Sequence, residues 1–201
     1  YGEAEAGGDR PVEKLELDQH LAAFRAGTLT PGVMAQLSAP LQSVFKRLVA
    51  ADSAAGKPTP AAVPATTSTL PLSDAAPLSA KTGWGGVHYD RTNDGNPLIG
   101  PDGVLAHGLY AHADSVYEYD LGGQWKSLTG VACVLDGGHG SVEATIVGDD
   151  QQLWKSGPLK PGDSKSFTVE VTGVKTLKLE IKGIKGNSGA WGAWGEPVLK
   201  R

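Results

Sequence analysis

Between Ser115 and Lys182, apolar and polar residues alternate in one short run after another. Thr176-Leu177-Lys178-Leu179-Glu180-Ile181-Lys182 alternates without a fault, and Lys165 to Val171 does the same. Val142, Ala144 and Ile146 alternate with Glu143 and Thr145, and Ser115 to Leu121 adds a further run. A period of two puts one face of a strand in a core and the other in water. Leu128 to Leu135 is more continuously apolar and predicts a central strand. Turn clusters separate these runs: Gly122-Gly123, Asp136-Gly137-Gly138, Gly148-Asp149-Asp150, Pro161-Gly162-Asp163 and Gly186-Asn187. Short strands divided by such turns, with no long helical pattern among them, predict a mainly β chain folded as an antiparallel, jelly-roll-like β-sandwich over residues 78–201. The most local prediction is a hairpin joining Val142–Val147 to Gln152–Lys155, because Gly148-Asp149-Asp150 supplies residues that accept unusual φ.

The first fifty residues follow a different period. Leu15, Leu17, Leu21 and Phe24 predict a short helix closed by Gly27. Thr30 followed by Pro31 is an N-cap and the helix position that best tolerates proline. Leu37, Leu41, Val44 and Leu48 make one helical stripe, with Pro40 forcing a fresh start at Ser38. This short helical segment, residues 1–51, is too small to build its own core. Its stripe must dock on the second half, on a neighbouring domain or on another protein. Residues 52–77 turn to Ala, Ser, Thr and Pro, the composition of a linker with some stiffness. The chain opens on Tyr1, which is read as a processed mature form or an excised fragment.

Composition narrows the function classes. Of the 201 residues, 40% are hydrophobic and 20% charged, which supplies a core and excludes disorder throughout. A net charge of −4 with no Lys/Arg run argues against a nucleic-acid partner. No apolar stretch approaches the ~20 residues of a transmembrane segment. The single cysteine, Cys133, excludes an intrachain disulfide and a thiolate zinc cluster.

Gly-x-Ser-x-Gly, His-Glu-x-x-His, a P-loop and an EF-hand loop are all missing, so the chain is not read as an enzyme and no catalytic residue is assigned. Asp149 and Asp150 are adjacent acids on a tight turn; such acids point apart and read as turn formers. Gly83-Trp84-Gly85-Gly86 has no following helix and is not a dinucleotide loop. His107 and His112 fall on opposite faces of an extended segment, which argues against one metal held by both. The metal content stays unknown; a structural calcium on loop carboxylates and carbonyls is left open. All five tryptophans lie at or after Trp84, in the glycine-rich part of the chain. Trp84, Trp125 and Trp154 sit in or beside strands and read as core. Trp191 and Trp194 lie in a glycine-flanked stretch, Gly189 to Gly195, read as a loop. Trp191 is open between packing and an exposed contact face. Sugars pair apolar C–H faces with hydroxyls, so a flat aromatic beside polar groups suits them.

Residues 78–200 resemble the NPCBM family, β-sandwich modules appended to bacterial glycoside hydrolases. Gly83-Trp84 stands in the opening strand, and His107-Gly108-Leu109-Tyr110-Ala111-His112-Ala113 resembles the signature Gly-Leu-Gly-x-His-Ala, with Tyr110 where glycine is usual. Tyr119 to Trp125, Val131 to Asp136, the hairpin Val147 to Gly157, Val171 to Leu179 and Ala193 to Leu199 follow in the family's order. The acid–His pair that the family often carries before its final tryptophan is absent here, where the chain reads Ser188-Gly189-Ala190-Trp191-Gly192-Ala193-Trp194. The resemblance implies a non-catalytic carbohydrate-binding module of an exported bacterial protein, extracellular or periplasmic, with a galactoside-like glycan as partner. Asn187, Trp191, His139 and Asp136 are the expected loop contacts. His112 and Trp194 are assigned first to fold support and second to ligand. The competing reading is an accessory subunit whose N-terminal helices dock on a protein partner in a larger complex.

Overall fold

The structure, a computed structural model, describes residues 12–201. The first eleven residues of the segment 1–51 lie outside the described residues. Three helices open the described chain: α1 (Val12–Arg25), α2 (Pro31–Gln36) and α3 (Ala39–Val49). Thr30 Oγ1 accepts from Val33 N at 3.3 Å, capping α2 as its sequence predicts. Gly27 takes a left-handed φ of 69° where α1 ends.

Twelve strands follow. One sheet holds β1 (Thr69–Pro71), β5 (Gly108–His112), β7 (Ser127–Val134), β10 (Ser164–Glu170) and β12 (Trp191–Lys200). The facing sheet has the order β2 (Ser79–Lys81), β6 (Ser115–Asp120), β11 (Thr176–Ile184), β8 (Ser141–Gly148) and β9 (Gln151–Leu159). All pairings are antiparallel, and the β8–β9 hairpin forms where the sequence places it. Leu177, Leu179 and Ile181 of β11 are fully buried, while the alternating Lys178 and Glu180 are only partly covered. They meet Leu128, Phe167 and Trp194 in one inter-sheet core.

Two regions differ from the sequence reading. From Trp191 on, the stretch 189–195 is not a loop: β12 is a ten-residue strand in the middle of its sheet, paired with β7 on one side and with β5 and β1 on the other. Its glycines disguise it. A Cβ on Gly192 would stand 2.8 Å from Ala111 O and from Ile181 Cγ2, so the neighbours already fill that space. Residues 52–77 have the composition of a linker but lie along the sandwich. Thr69–Pro71 adds β1 to the sheet, and the Pro60 carbonyl accepts from Trp125 Nε1 at 3.2 Å.

The strands β3 (Leu98–Gly100) and β4 (Gly103–Leu105) form a separate hairpin that joins the helices to the sandwich. Leu98 and Leu105 pack on the outer face of the first sheet with Tyr110, Cys133 and Ala193. Ile99 and Val104 point the other way, onto Leu17, Leu37, Leu41 and Phe45 of the helices. The helical stripe therefore docks on the second half of this same chain. Phe24 stacks on Phe45 with centroids 4.6 Å apart.

A polar junction completes the attachment. Arg47 of α3 donates to Asp74 Oδ1 at 2.9 Å, to Asp90 Oδ2 at 2.7 Å and to His107 Nε2 at 2.9 Å. Arginine has only donors, so His107 Nε2 accepts and the ring proton sits on Nδ1, 3.2 Å from Ser73 Oγ. Arg91 donates to the Arg47 and Ala50 carbonyls at 2.7 and 2.8 Å, closing the end of α3. Burial and the Arg47 charge both lower the His107 pKa. Burial alone would raise Asp74, but the guanidinium beside it outweighs that and holds the carboxyl below its usual range.

Two outcomes follow from this attachment. Phe45→Ala should cost about 3–5 kcal/mol within the helical cluster. Hydrogen exchange should then show lost protection in α1 and α3, with β6, β8 and β11 still protected. The second outcome concerns pH. His107 and Asp74 both bind protons less readily in the folded chain, so the unfolded chain gains protons first and stability falls on acidification. The loss should begin as pH drops below the ordinary imidazole value of 6.5 and deepen below the ordinary carboxylate value of 3.8. Arg47→Met should lower stability at neutral pH by on the order of 2 kcal/mol and flatten this acid dependence. Thermal unfolding across the range checks both parts.

Candidate functional site

The end of β5, the start of β12 and two glycine-rich loops meet at one edge of the sandwich. The β5–β12 register sets Trp191 directly opposite His112, so the two side chains share a face. Gly83 N donates to His112 O at 3.0 Å, and a Cβ on Gly83 would stand 2.0 Å from Ala113 O. Only glycine lets this loop lie so close to the strand end. The contact projects Trp84 outward: the indole is 56% exposed, with its ring 5.8 Å from the His112 ring. On the other side Ala190 N donates to Asn187 O at 3.1 Å, folding the turn that presents Asn187 and Ser188.

Trp84, His112, Asn187, Ser188 and Trp191 line an open groove of about 410 Å³, within the ~300–1,000 Å³ range of ligand sites. His112 is buried, and its Nδ1 donates to Ala113 O at 2.9 Å, which leaves Nε2 as the ring nitrogen for a ligand. Among the described residues, no carboxylate lines this groove. Its chemistry is aromatic surface beside an amide, a hydroxyl and an imidazole.

The expected contacts divide by position. Asn187, Trp191 and His112 come together. Asp136 lies just beyond Trp191, in an adjoining hollow, where it pairs with Lys14 of α1. His139 is exposed but is not among the residues lining the groove: its ring lies against the Gly189 backbone, where a Cβ would come within 2.3 Å. Trp194 is fully buried between the sheets, with its ring 5.7 Å from Phe167 and 6.4 Å from Trp154. Three residues separate it from Trp191 along a strand, so the two indoles face opposite sides. Trp84, read from sequence as core, is instead the most exposed aromatic of the groove. Its flanking Gly83, Gly85 and Gly86 carried the same signal that singled out Trp191.

Other clusters have structural occupations. Asp149 and Asp150 take φ values of 45° and 66° in their turn. Asp149 accepts from Thr176 N and Lys175 N, and these backbone bonds hold its carboxyl below the usual range. Among the described residues, Asp74, Asp90 and His107 offer ligand atoms within 4.8 Å of one another. The Arg47 guanidinium stands among those atoms at 2.7–2.9 Å, so the place a calcium ion would need is filled by a side-chain cation. His107 in that junction and His112 at the groove face different parts of the molecule.

Solved structures share this fold. A CBM51 of Clostridium perfringens GH95, solved in complex with methyl-galactose, is 27% identical with a TM-score of 0.60; the match covers 66% of this chain and 99% of that one. CBM51-2 of Clostridium perfringens ZmpB, solved with GlcNAc and INT domains, is 23% identical with a TM-score of 0.61, over 66% of this chain and 31% of that one. The tandem CBM51 modules of a Streptococcus pneumoniae family 98 glycoside hydrolase are 16% identical with a TM-score of 0.59, over 66% of this chain and 47% of that one. At their lower identities the second and third speak for the fold alone. No curated protein matches the chain. Two facing antiparallel sheets, a fold shared with the CBM51 modules, agree with the NPCBM/NEW2 domain matched over residues 68–200, and the chain belongs to that family.

Proposed function

We propose that this chain is a non-catalytic carbohydrate-binding module that holds a galactose-type residue of a glycan in the Trp84–Trp191 groove. The observation that carries this reading is the pair of indoles around the His112–Asn187 edge, with no carboxylate among the described residues of the groove. An indole face covers the C–H face of a pyranose, while Asn187, Ser188 and His112 Nε2 meet its hydroxyls. The methyl-galactose bound by the 27% identical relative is a ligand of this kind. An open, wet groove excludes little water, so binding is weak: a Kd of about 0.1–1 mM, or roughly −4 to −5.5 kcal/mol. Weak binding still serves a module tethered to another activity, because it raises local concentration at a polymer. Glycan polymers of this type lie outside the cytoplasm, so the module acts as part of an exported protein. Among the described residues no helix is long and apolar enough to cross a membrane. The alternative, an accessory subunit docking through its helices, needs an unpartnered apolar stripe, and Leu17, Leu41 and Phe45 already pack on Ile99 and Val104.

Calorimetric titration with methyl galactoside, backed by a glycan array, tests the reading. Trp84→Ala should weaken binding at least about tenfold, equivalent to about 1.4 kcal/mol, without lowering the melting temperature, since this indole is largely in solvent. Trp191→Ala should do the same at some cost in stability, because part of its ring packs against the core. A blank array, or unchanged affinity in both variants, overturns the proposal.

A further inference from the structure

We infer that the groove continues past the two tryptophans into a second sugar-binding half, walled by helix α1, and that the ligand is an oligosaccharide of at least two hexose residues. The inference rests on the carbohydrate reading above and extends it. Trp84 and Trp191 line the first hollow and also a second one of about 280 Å³ on their far side. The indole pair is therefore a shared ridge between two neighbouring hollows.

The second half has the mixed chemistry a sugar needs. Leu21 brings apolar surface beside the two indoles, and Asn93 and Asp136 bring hydrogen-bonding groups. Each is held in place. Asn93 Oδ1 accepts from Gly86 N at 3.0 Å and lies 3.2 Å from His88 Nε2. These contacts fix the Trp84 loop to the Asn93 loop and leave the Asn93 amide nitrogen as its remaining donor. Asp136 precedes Gly137, whose Cβ position would fall 2.9 Å from the Trp191 ring. The turn that carries the carboxylate thus also backs the indole.

Leu21 comes from outside the family's domain, which begins at residue 68. It follows Leu17 by one helical turn on the same face of α1. Leu17 is fully buried against Leu41 and Phe45, so the wall stands on the helical core. Lys14, one turn earlier, pairs with Asp136 and ties α1 to the rim of the groove. The Asp136 side chain keeps 56% of its surface exposed and can still accept from a hydroxyl. Helix α1 thereby adds a wall that residues 68–200 do not supply.

The test uses the full chain and four probes: methyl galactoside, methyl N-acetylglucosaminide, N-acetyllactosamine, which joins the two sugars, and the tetrasaccharide repeating it. The disaccharide or tetrasaccharide should bind about tenfold tighter than either monosaccharide, and Leu21→Ala should remove most of that gain while methyl galactoside affinity stays the same. Since Leu21→Ala could loosen α1, a second readout uses the unaltered protein: the Leu21 methyl resonances should shift with tetrasaccharide and not with methyl galactoside. Equal affinities for short and long probes, a Leu21→Ala variant that keeps the gain, or silent Leu21 methyls would each overturn the extension. In those cases, monosaccharide binding lost in Trp84→Ala leaves the first groove standing. If none of the four probes and no arrayed glycan binds, the carbohydrate reading fails and the extension with it.

Discussion

The constraint that organises this molecule is that the middle of one of its two sheets, where β5 and β7 flank the first half of β12, has no face it can leave in water. Antiparallel sheets commonly keep one side wet. In the sheet centred on β12, the inner side carries Trp194 and Leu199 while the outer side carries Tyr110, Cys133 and Ala193, and all of these are buried. The β3–β4 hairpin covers that outer side with Leu98 and Leu105, and by the same alternation turns Ile99 and Val104 outward. The helices exist to cover those two. Each layer solves the exposure problem of the layer beneath it and passes a smaller one on. Where the cover stops, at the start of β12, Trp191 is left half-buried, and that uncovered margin is the groove.

Apolar burial sets no orientation by itself, because it has no direction. The Arg47 junction supplies direction. Its guanidinium must meet Asp74, Asp90 and His107 together, and those residues come from three separate stretches of the chain. A partly buried charge cluster gains little net energy over an apolar one of the same size. What it fixes is the angle at which α3 lies on the sandwich, and through α3 the position of α1 at the groove.

The strands with a wet side were legible in sequence, because solvent writes the period into them: β6, β8, β10 and β11 all alternate. β12 was not, since both its faces are crowded and Gly192 and Gly195 stand where neighbouring side chains fill the space. Glycine then read as looseness when it meant close approach. The same misreading put Trp191 and Trp194 on one loop, although their odd spacing on a strand sends one indole to the groove and the other into the core. Trp84 was missed for the opposite reason: its neighbouring glycines truly do mark an exposed loop. Proline-rich composition made residues 52–77 read as a linker; it could not show that this backbone packs, because Pro60, Leu70 and Leu72 are buried by residues far away in sequence. Asp136 was recognisable as a turn acid, whereas its partner Lys14 comes from a helix no local pattern connects to it.

One pairing bears on where the chain can be cut. β1 lies along the last third of β12, and Arg201 reaches past it to the Pro64 and Val63 carbonyls at 2.7 and 3.1 Å. A fragment trimmed to begin at residue 78 would strip that partner from Val198–Lys200 and leave a row of open amides and carbonyls. Such a row is a template for another chain. The smallest self-sufficient piece of this fold therefore starts well before its first obvious strand, and a shortened version would trade solubility for compactness.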